Sequence, residues 1–346
     1  MQRLEIEAVH DGKLRWILST AILATCVAVL VGCKPSARDL GDRRITAGDS
    51  GGPTDRDLLK ARAAFQTKHI SNSYKTDGPA DPPQPGTYQL VHYPSPAGQL
   101  AAYLTPNPGD GKKHPVLIWA HGGFGGLGTG GAAEPARAAG FVVFCPSWRG
   151  ENDNPGQFEL FYGEVEDAVA AVNYVSQLPY VDPARIYMAG HSTGGTMTLL
   201  TVESTPKLRA AFSFGGCPDV GNLMTLSGGK GYDNTPFDYR ISDETRLRSA
   251  IHFVGAIHTP TFFFEGSQSA LYCRDAKNME QMAQRANVPF SAFVLPGGDH
   301  FNIVPPISRL IVRKMQADIG PTCNITLTQA EVQQSFQAQP RPRRGR

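Results

Sequence analysis

The sequence lacks an excess of charge of either sign. Its 346 residues contain 33 lysines and arginines and 31 aspartates and glutamates, a formal net charge of +2 at pH 7. No stripe of basic residues with interleaved aromatics occurs, so nucleic acid is not an expected partner. No cysteine and histidine spacing matches a zinc site, so no metal is expected. Internal repeats are also absent, and the roughly 310 residues after the N-terminal segment fit one large domain better than two.

Residues 1–33 have the pattern of an export signal. Lys13 and Arg15 precede an uncharged apolar run that is short for a membrane span and ends in Leu30-Val31-Gly32-Cys33. These last four residues resemble the lipobox of bacterial lipoproteins. The resemblance implies cleavage before Cys33, lipidation of its thiol and amine, and a domain tethered to a membrane of the bacterial cell envelope, at the outer membrane or periplasmic face. An uncleaved N-terminal membrane helix is the alternative.

The cysteines are few, and two of the six belong to the export segment. The remaining four are Cys145, Cys217, Cys273 and Cys323. In an oxidising compartment disulfides are permitted. Cys217 and Cys273 each follow strands that are neighbours in the predicted sheet, so this pair is the favoured disulfide. Buried free thiols, which pack as small apolar groups, are the alternative.

From residue 87 onward, apolar strands alternate with helical stretches. Strands are predicted at 87–93, 100–105, 115–121, 141–146, 186–189, 210–214, 260–265 and 290–295, and helices near 132–139, 162–178, 274–286 and 303–315. This alternation predicts an α/β fold, a mostly parallel central sheet with helices on both faces. The domain is expected to span residues 87–320. A tether and N-terminal extension at 34–86, with a helix from Leu58 to Lys68, precedes it, and a flexible tail at 321–346 follows.

The most informative motif is Gly-x-Ser-x-Gly at residues 190–194. It follows a buried strand and precedes a helix-compatible apolar stretch, which is the context of a nucleophile elbow. Gly190 and Gly194 leave room for a sharp turn that exposes the hydroxyl of Ser192. The backbone N–H of Thr193, at the start of the helix, is a candidate oxyanion donor. A turn without function is the alternative, and the flanking strand and helix argue against it.

Two loops at other strand ends carry the remaining chemistry. In His121-Gly-Gly-Phe-Gly-Gly126, consecutive glycines let backbone N–H groups approach a ligand, so Gly123 or Phe124 is the second candidate oxyanion donor. In the loop after the last strand, His300 is placed to act as the general base for Ser192. Parallel sheets bind ligands at the carboxyl ends of their strands, which is where both loops begin.

Residues 87–318 resemble the prolyl oligopeptidase and dienelactone hydrolase branch of the α/β-hydrolases. The motifs that carry the resemblance are His121-Gly-Gly-Phe, Trp148-Arg149-Gly150, Glu166-Asp167-Ala168, Val181-Asp-Pro-Ala-Arg-Ile, Gly190-His-Ser-Thr-Gly-Gly195 and Gly297-Gly-Asp-His300. The resemblance implies the α/β-hydrolase fold and a Ser-His-acid triad. It also implies an acyl-enzyme intermediate and hydrolysis of an ester or amide without a cofactor.

The sequence departs from this family at the triad acid. The family pattern after the seventh strand is Gly-x-x-Asp, whereas residues 266–269 read Gly-Ser-Gln-Ser. Glu265, at the end of that strand, is the first candidate for the acid. Asp275 and Asp219 are the alternatives, because geometry and not sequence order decides a triad. The two aspartates also suit ordinary roles, Asp219 as a helix cap and Asp275 as a charge in the first turn of a helix.

The stretch from 219 to 249 is predicted to be a cap insertion over the serine. Its aromatic residues Tyr232, Phe237 and Tyr239 are candidates to line a substrate pocket, with inward packing as the alternative. Arg149, at a strand end, is a candidate to bind a carboxylate, and a structural role is the other interpretation.

An ester is the favoured substrate on the sequence alone. Only about 50 residues separate Cys33 from the first strand, too few for the β-propeller through which prolyl oligopeptidases admit peptides. A carboxylesterase-like serine hydrolase is therefore expected. The alternatives are an aminopeptidase or dipeptidyl peptidase-like hydrolase of short peptides, and a catalytically dead surface lipoprotein that binds a ligand or partner. The intact serine, histidine and glycine loop count against the last.

Overall fold

The fold is described from a computed structural model. The structure describes residues 57–71, 78–128, 130–232 and 235–338. The predicted signal peptide, the lipobox with Cys33 and the final eight residues lie outside the described residues. Within the described ranges, no helix combines the length and the apolar character needed to cross a bilayer.

Eight strands of the described chain form a single sheet in the order β1-β2-β4-β3-β5-β6-β7-β8. Their bounds are β1 Gln89–Ser95, β2 Gly98–Leu104, β3 His114–Ala120, β4 Val142–Pro146, β5 Val181–His191, β6 Ala210–Phe214, β7 Thr261–Gly266 and β8 Phe290–Leu295. The β1–β2 and β2–β4 pairs are antiparallel, and every pair from β4 to β8 is parallel. The predicted mostly parallel sheet is thereby confirmed.

Helices cover both faces of the sheet. They are α1 Leu58–Ala63, α2 Gly130–Ala138, α3 Gly163–Ser176, α4 Thr193–Val202, α5 Val220–Leu226, α6 Ser242–Arg246, α7 Ala270–Ala286, α8 Val304–Ala317 and α9 Gln329–Gln337, with a 3₁₀-helix at Ala250–Ala256. Buried side chains of α3, α4 and α7 join one hydrophobic cluster, and those of α2, α8 and α9 join another. Strands such as β4 and β6 are buried along their whole length because both faces are covered.

Several boundaries differ from the sequence prediction. The strand β5 begins at Val181 and not at Ile186, and α7 begins at Ala270 and not at Arg274. The first helix ends at Ala63 and not at Lys68. The expected tail from residue 321 instead contains α9, whose first turn is capped by the Thr328 hydroxyl accepting the Glu331 N–H, and Val332 is fully buried. The periodicity of α9 is weak because most of its residues are polar. Contacts with α8 and β8, which no local pattern reveals, hold it in place.

Candidate active site

The turn between β5 and α4 is strained and tightly packed. Ser192 adopts φ 58° and ψ −119°, a region that L-residues rarely occupy. A Cβ at Gly190 would lie 2.3 Å from the Gly194 carbonyl oxygen, and one at Gly194 would lie 2.1 Å from the Ala120 carbonyl oxygen. Only glycine fits at either position. The backbone N–H of Ser192 donates to the Phe214 carbonyl at 2.8 Å, which fixes the elbow against the end of β6.

The glycine loop after β3 lies directly beside this turn. A Cβ at Gly122 would come within 3.4 Å of the Ser192 Cβ. The Thr193 hydroxyl donates to the Gly123 carbonyl at 2.8 Å, so the Gly123–Phe124 peptide is fixed relative to the elbow. Thr193 is the first residue of α4, where backbone N–H groups have no partner within the helix. The predicted oxyanion donors are therefore gathered around one serine.

His300 and Glu265 meet at the neighbouring strand ends. The two atoms His300 Nδ1 and Glu265 Oε2 are 2.8 Å apart, and the other Glu265 oxygen accepts the Gly266 N–H at 2.7 Å. Glu265 is fully buried. A carboxylate can only accept, so Nδ1 of His300 carries the proton and Nε2 is left as the basic nitrogen. A Cβ at Gly215 would lie 2.5 Å from His300 Cε1 and 2.6 Å from Glu265 Oε2, so the pair rests on the residue after β6.

The two alternative acids lie elsewhere. Asp219 caps α5, where its side chain accepts the Asn222 N–H at 2.9 Å. Asp275, on α7, accepts the Asn222 side-chain amide and the Arg274 guanidinium. Neither carboxylate is bonded to His300. Asp219 has the capping role that the sequence also allowed, whereas Asp275 lies beyond the first turn of α7, which begins at Ala270, so the expected first-turn role is wrong. A carboxylate therefore reaches His300 although the family's aspartate is absent. It belongs to Glu265, which precedes the Gly-x-x-Asp position by one residue and has a longer side chain than aspartate.

His191, the residue before the serine, was missed by the sequence analysis. Its Nε2 donates to the His300 carbonyl at 2.9 Å, and the two rings are 4.6 Å apart at their centres. Burial, together with the neighbouring His300, lowers the pKa of His191 to about 4. A neutral His191 therefore holds the His300 loop without adding charge. The signal was its place inside the Gly-x-Ser-x-Gly motif.

A second missed residue is Glu151, which follows Trp148-Arg149-Gly150. Its carboxylate is buried; one oxygen accepts the Gly125 N–H at 3.0 Å, and the other accepts His121 Nε2 at 3.0 Å and the Trp148 N–H at 3.3 Å. Burial lowers the pKa of His121, but the charge and hydrogen bond of Glu151 outweigh it and raise that pKa above its usual value. The contact therefore favours the protonated form of His121, and the pair lies on the glycine loop.

An aromatic cluster walls the glycine loop. The Phe124 ring lies 4.9 Å from Phe158 and 6.0 Å from Tyr232, and Tyr232 lies 5.4 Å from Phe161. Phe161 and its neighbour Leu160 both adopt positive φ, 66° and 52°, which is unusual for bulky residues. Tyr232 thus borders the site, as the cap prediction allowed.

The other predicted pocket residues have structural roles. Phe237 is buried, with the Arg248 guanidinium 3.9 Å above its ring, and Tyr239 packs against Gly229. Arg149 is occupied by Asp167, which accepts its backbone N–H, Nε and Nη2 at 2.9–3.0 Å. The expectation that Phe237 lines a pocket is wrong, because the buried cation attracts the aromatic ring inward. A free Arg149 is likewise excluded.

The favoured disulfide is also wrong. In the structure Cys145, Cys217, Cys273 and Cys323 are free thiols. Cys217 is buried after β6, whereas the Cys273 thiol on α7 donates to the Gly266 carbonyl. Adjacent strands did not bring the two sulfurs together because Cys273 belongs to the helix after β7. In the part of the chain that the structure describes, no group of His, Cys, Asp and Glu is arranged to hold a metal ion.

A known protein family matches this chain. The model of the prolyl oligopeptidase family (Peptidase_S9) matches residues 131–316, more than half of the chain. Among curated proteins, the uncharacterised peptidase YtmA of Bacillus subtilis is 26% identical over 206 residues, which cover 55% of this chain and 78% of that protein. A probable dipeptidyl-aminopeptidase B of Arthroderma otae is 33% identical over 110 residues, 28% of this chain and 12% of that protein.

Solved structures share the fold. A puromycin-hydrolysing peptidase of Mycobacterium tuberculosis superposes with a TM-score of 0.57 at 19% identity, covering 67% of this chain and 39% of that one. An acylaminoacyl peptidase of Pyrococcus horikoshii gives 0.59 at 14% identity, covering 71% and 44%. An esterase of Pyrococcus furiosus gives 0.56 at 14% identity, covering 73% and 100%. The chain spans less than half the length of the two solved peptidases, and these likenesses establish the α/β-hydrolase fold.

Proposed function

Because this chain belongs to the prolyl oligopeptidase family and is a serine hydrolase, we propose that it is a peptidase that cleaves short peptides through an acyl-enzyme on Ser192. The observation that carries the proposal is the hydrogen bond between the buried Glu265 and the partly buried His300, beside the strained elbow of Ser192. The curated relatives are a peptidase and a dipeptidyl-aminopeptidase by name. They support a peptide substrate in place of the ester that the sequence alone favoured.

The proposed reaction begins with His300 Nε2 taking the proton of the Ser192 hydroxyl as the serine oxygen attacks the peptide carbonyl. Glu265 holds the imidazole in the required tautomer and stabilises its positive charge. The backbone N–H of Thr193 and that of Gly123 or Phe124 stabilise the oxyanion. His300 then protonates the leaving amine as the C–N bond breaks. Water, deprotonated by the same nitrogen, hydrolyses the acyl-enzyme and restores the serine.

Active-site labelling tests the serine and the base. The full chain, purified in detergent, is treated with a fluorophosphonate probe beside Ser192→Ala and His300→Ala. We expect stoichiometric labelling of the wild type at Ser192, no labelling of the alanine variant of the serine, and strongly slowed labelling without His300. A folded wild type that does not react would contradict catalysis and favour a binding protein.

The choice between peptide and ester is tested with matched substrates. An aminoacyl p-nitroanilide and the p-nitrophenyl ester of the same acyl group are compared, with Ser192→Ala as background. Turnover of the anilide above this background is the expected result. Hydrolysis of the ester alone would overturn the peptidase assignment and return the protein to the esterase class, while leaving the serine hydrolase chemistry intact.

We further propose that Cys33 is lipidated and tethers the protein to the bacterial cell envelope. Support comes from the apolar run after Lys13 and Arg15 and from the lipobox-like Leu30-Val31-Gly32-Cys33. The protein expressed in a bacterial host should incorporate labelled palmitate and partition into detergent, and Cys33→Ser should do neither. Equal partitioning of both forms, without label, would point to an uncleaved membrane helix instead.

A further inference from the structure

Glu151 joins two loops that leave the sheet from neighbouring strands. One is the glycine loop after β3, and the other follows β4 and contains Glu151 itself. The carboxylate accepts Gly125 N–H and His121 Nε2 from the first loop and Trp148 N–H from its own. His121 also stacks on the Trp148 ring, with centroids 6.1 Å apart. One buried side chain thus holds the glycine loop at two of its residues.

We infer that Glu151 is a positioning residue of the oxyanion hole, which it holds through the backbone of the glycine loop and through His121. The inference rests on the proposed function, because it assigns a role in that same site. Gly125 is one residue beyond Phe124, and the loop is bonded to the elbow on its other side through the Thr193 hydroxyl and the Gly123 carbonyl. The Gly123–Phe124 peptide is therefore fixed from both sides.

Backbone flexibility makes this support necessary. Gly123, Gly125 and Gly126 have φ values of 78°, 79° and 80°, a conformation that glycine adopts at little cost and leaves as easily. An oxyanion donor is effective only if it is already aimed at the developing charge. Without a fixed anchor, such a loop would have to be ordered during the reaction. Glu151 supplies the anchor on the side away from Thr193.

His121 removes an electrostatic conflict. A lone carboxylate in the wall that also contains Gly123, Phe124 and Thr193 would repel the negative charge that forms on the substrate oxygen. Glu151, 3.0 Å away, raises the pKa of His121 and so favours its protonated form, in which the pair carries no net charge. The arrangement thus gains the strong, directed acceptor that a carboxylate provides without the repulsion.

The test is Glu151→Gln in the full chain. Glutamine fills the same volume but presents an NH₂ group where one accepting oxygen was, so it cannot accept both the Gly125 N–H and an Nε2–H of His121. We expect kcat on the anilide to fall by about 10- to 100-fold with KM changed by less than about threefold, because the lost interaction acts in the transition state. The rate of fluorophosphonate labelling at Ser192 should fall with kcat, and Glu151→Asp should restore part of both.

The control is Asp318→Asn. Asp318 is also a buried carboxylate, but it pairs with Arg209 and contacts none of the loops of the candidate active site. The variant should lose stability without losing kcat. If Glu151→Gln does not fold, His121→Gln removes the partner of the same anchor and is expected to give the same kcat effect. A Glu151→Gln protein with wild-type kcat and labelling rate, or one altered only in KM, would overturn the inference. Labelling of the wild type tests the serine hydrolase chemistry separately, and the comparison of anilide and ester tests the peptidase assignment.

Discussion

Two buried carboxylates of this protein, Glu151 and Asp318, have similar chemistry and different roles. Each accepts several hydrogen bonds and pairs with a basic side chain, His121 for Glu151 and Arg209 for Asp318. Glu151 holds a glycine loop at the carboxyl ends of the strands. Asp318 accepts the Tyr187 hydroxyl and the Asn324 N–H and so fastens the segment after α8. The two residues therefore differ in their position relative to the carboxyl ends of the strands and not in the strength of their hydrogen bonds. Glu151 positions a loop of the candidate active site, and Asp318 stabilises the fold.

The largest effect on kcat/KM should come from Glu265→Gln. This variant tests the distinction between carboxylates that act in the reaction and carboxylates that only stabilise the fold. The amide cannot hold His300 in the tautomer that leaves Nε2 basic, so kcat/KM should fall by about 10³- to 10⁴-fold with the fold intact. Asp275→Asn and Asp219→Asn, measured on the same substrate, should change it by less than about threefold. A large loss of kcat/KM in either aspartate variant, with little loss in Glu265→Gln, would show that this aspartate and not Glu265 is the triad acid.

Asp318→Asn should be the largest stability effect. Breaking a buried pair leaves Arg209 uncompensated, at a cost of about 3–5 kcal/mol in the free energy of unfolding. Burial raises the pKa of Asp318, but hydrogen bonds from Arg209, Asn324 and Tyr187 outweigh it and lower that pKa to about 2. The stabilisation is therefore present above the unfolded value of 3.8 and is lost as pH falls toward 2.

Urea unfolding at pH 7, with kcat measured well below the transition, checks the Asp318 prediction. The unfolding midpoint should fall while kcat stays at the wild-type value. A variant as stable as the wild type but slower would mean that Asp318 belongs to the reactive edge and would remove the contrast with Glu151.

Glu203 offers a third, smaller test, because this buried carboxyl has no hydrogen-bond partner among the described residues. Burial raises its pKa well above 4.5, with Arg62 partly opposing. A raised acid pKa stabilises the native state fully below pH 4.5, and this contribution is lost as pH rises through the folded value. The wild type should therefore lose stability as pH rises above 4.5 and Glu203 ionises.

Glu203→Gln should remove that pH dependence, because it keeps the shape without an ionisable proton and breaks no hydrogen bond. Thermal unfolding of both proteins at pH 5, 6, 7 and 8 provides the comparison. The variant should become the more stable protein at the alkaline end. Parallel curves for the two proteins would show that Glu203 is not the group responsible.

The smallest effect on stability is expected from treating the cysteines with reductant. Burial raises the pKa values of Cys145 and Cys217, and it raises that of Cys273 to about 12, so the thiols should react slowly in the folded protein. Reductant should leave the unfolding midpoint unchanged. Mass spectrometry after alkylation in denaturant should find alkylated thiols at Cys145, Cys217, Cys273 and Cys323, and a Cys217–Cys273 bridge would contradict the structure.

The sequence predicted most of the fold because the signals were local. Apolar strands at regular intervals and the helices between them were enough for the sheet and for the elbow. The strand ends then limited the position of His300. Glu265 ranked first among the acids because it ends the predicted seventh strand, and the structure brings it to His300.

Sequence reasoning missed interactions between segments far apart in the chain. Nothing near Glu151 indicates that its partners are His121 and Gly125, about 26 to 30 residues earlier. The inward position of Phe237 depends on Arg248, whose side chain is held by carbonyls of Glu159 and Leu160. The helix α9 has too few apolar residues to be recognised without the surface against which it packs.

By itself, the sequence determined the order of strands and helices, the sharp turn at Ser192 and the glycine loop, since each follows from local sterics and hydrophobic periodicity. The tertiary structure decided the roles of three carboxylates. Glu265 meets His300, Glu151 anchors the glycine loop, and Asp318 only stabilises the fold. The physical reason is that a hydrogen bond tolerates a change of only a few tenths of an ångström in the distance between donor and acceptor. Here the donors and acceptors belong to residues far apart in the sequence, which only the fold brings together.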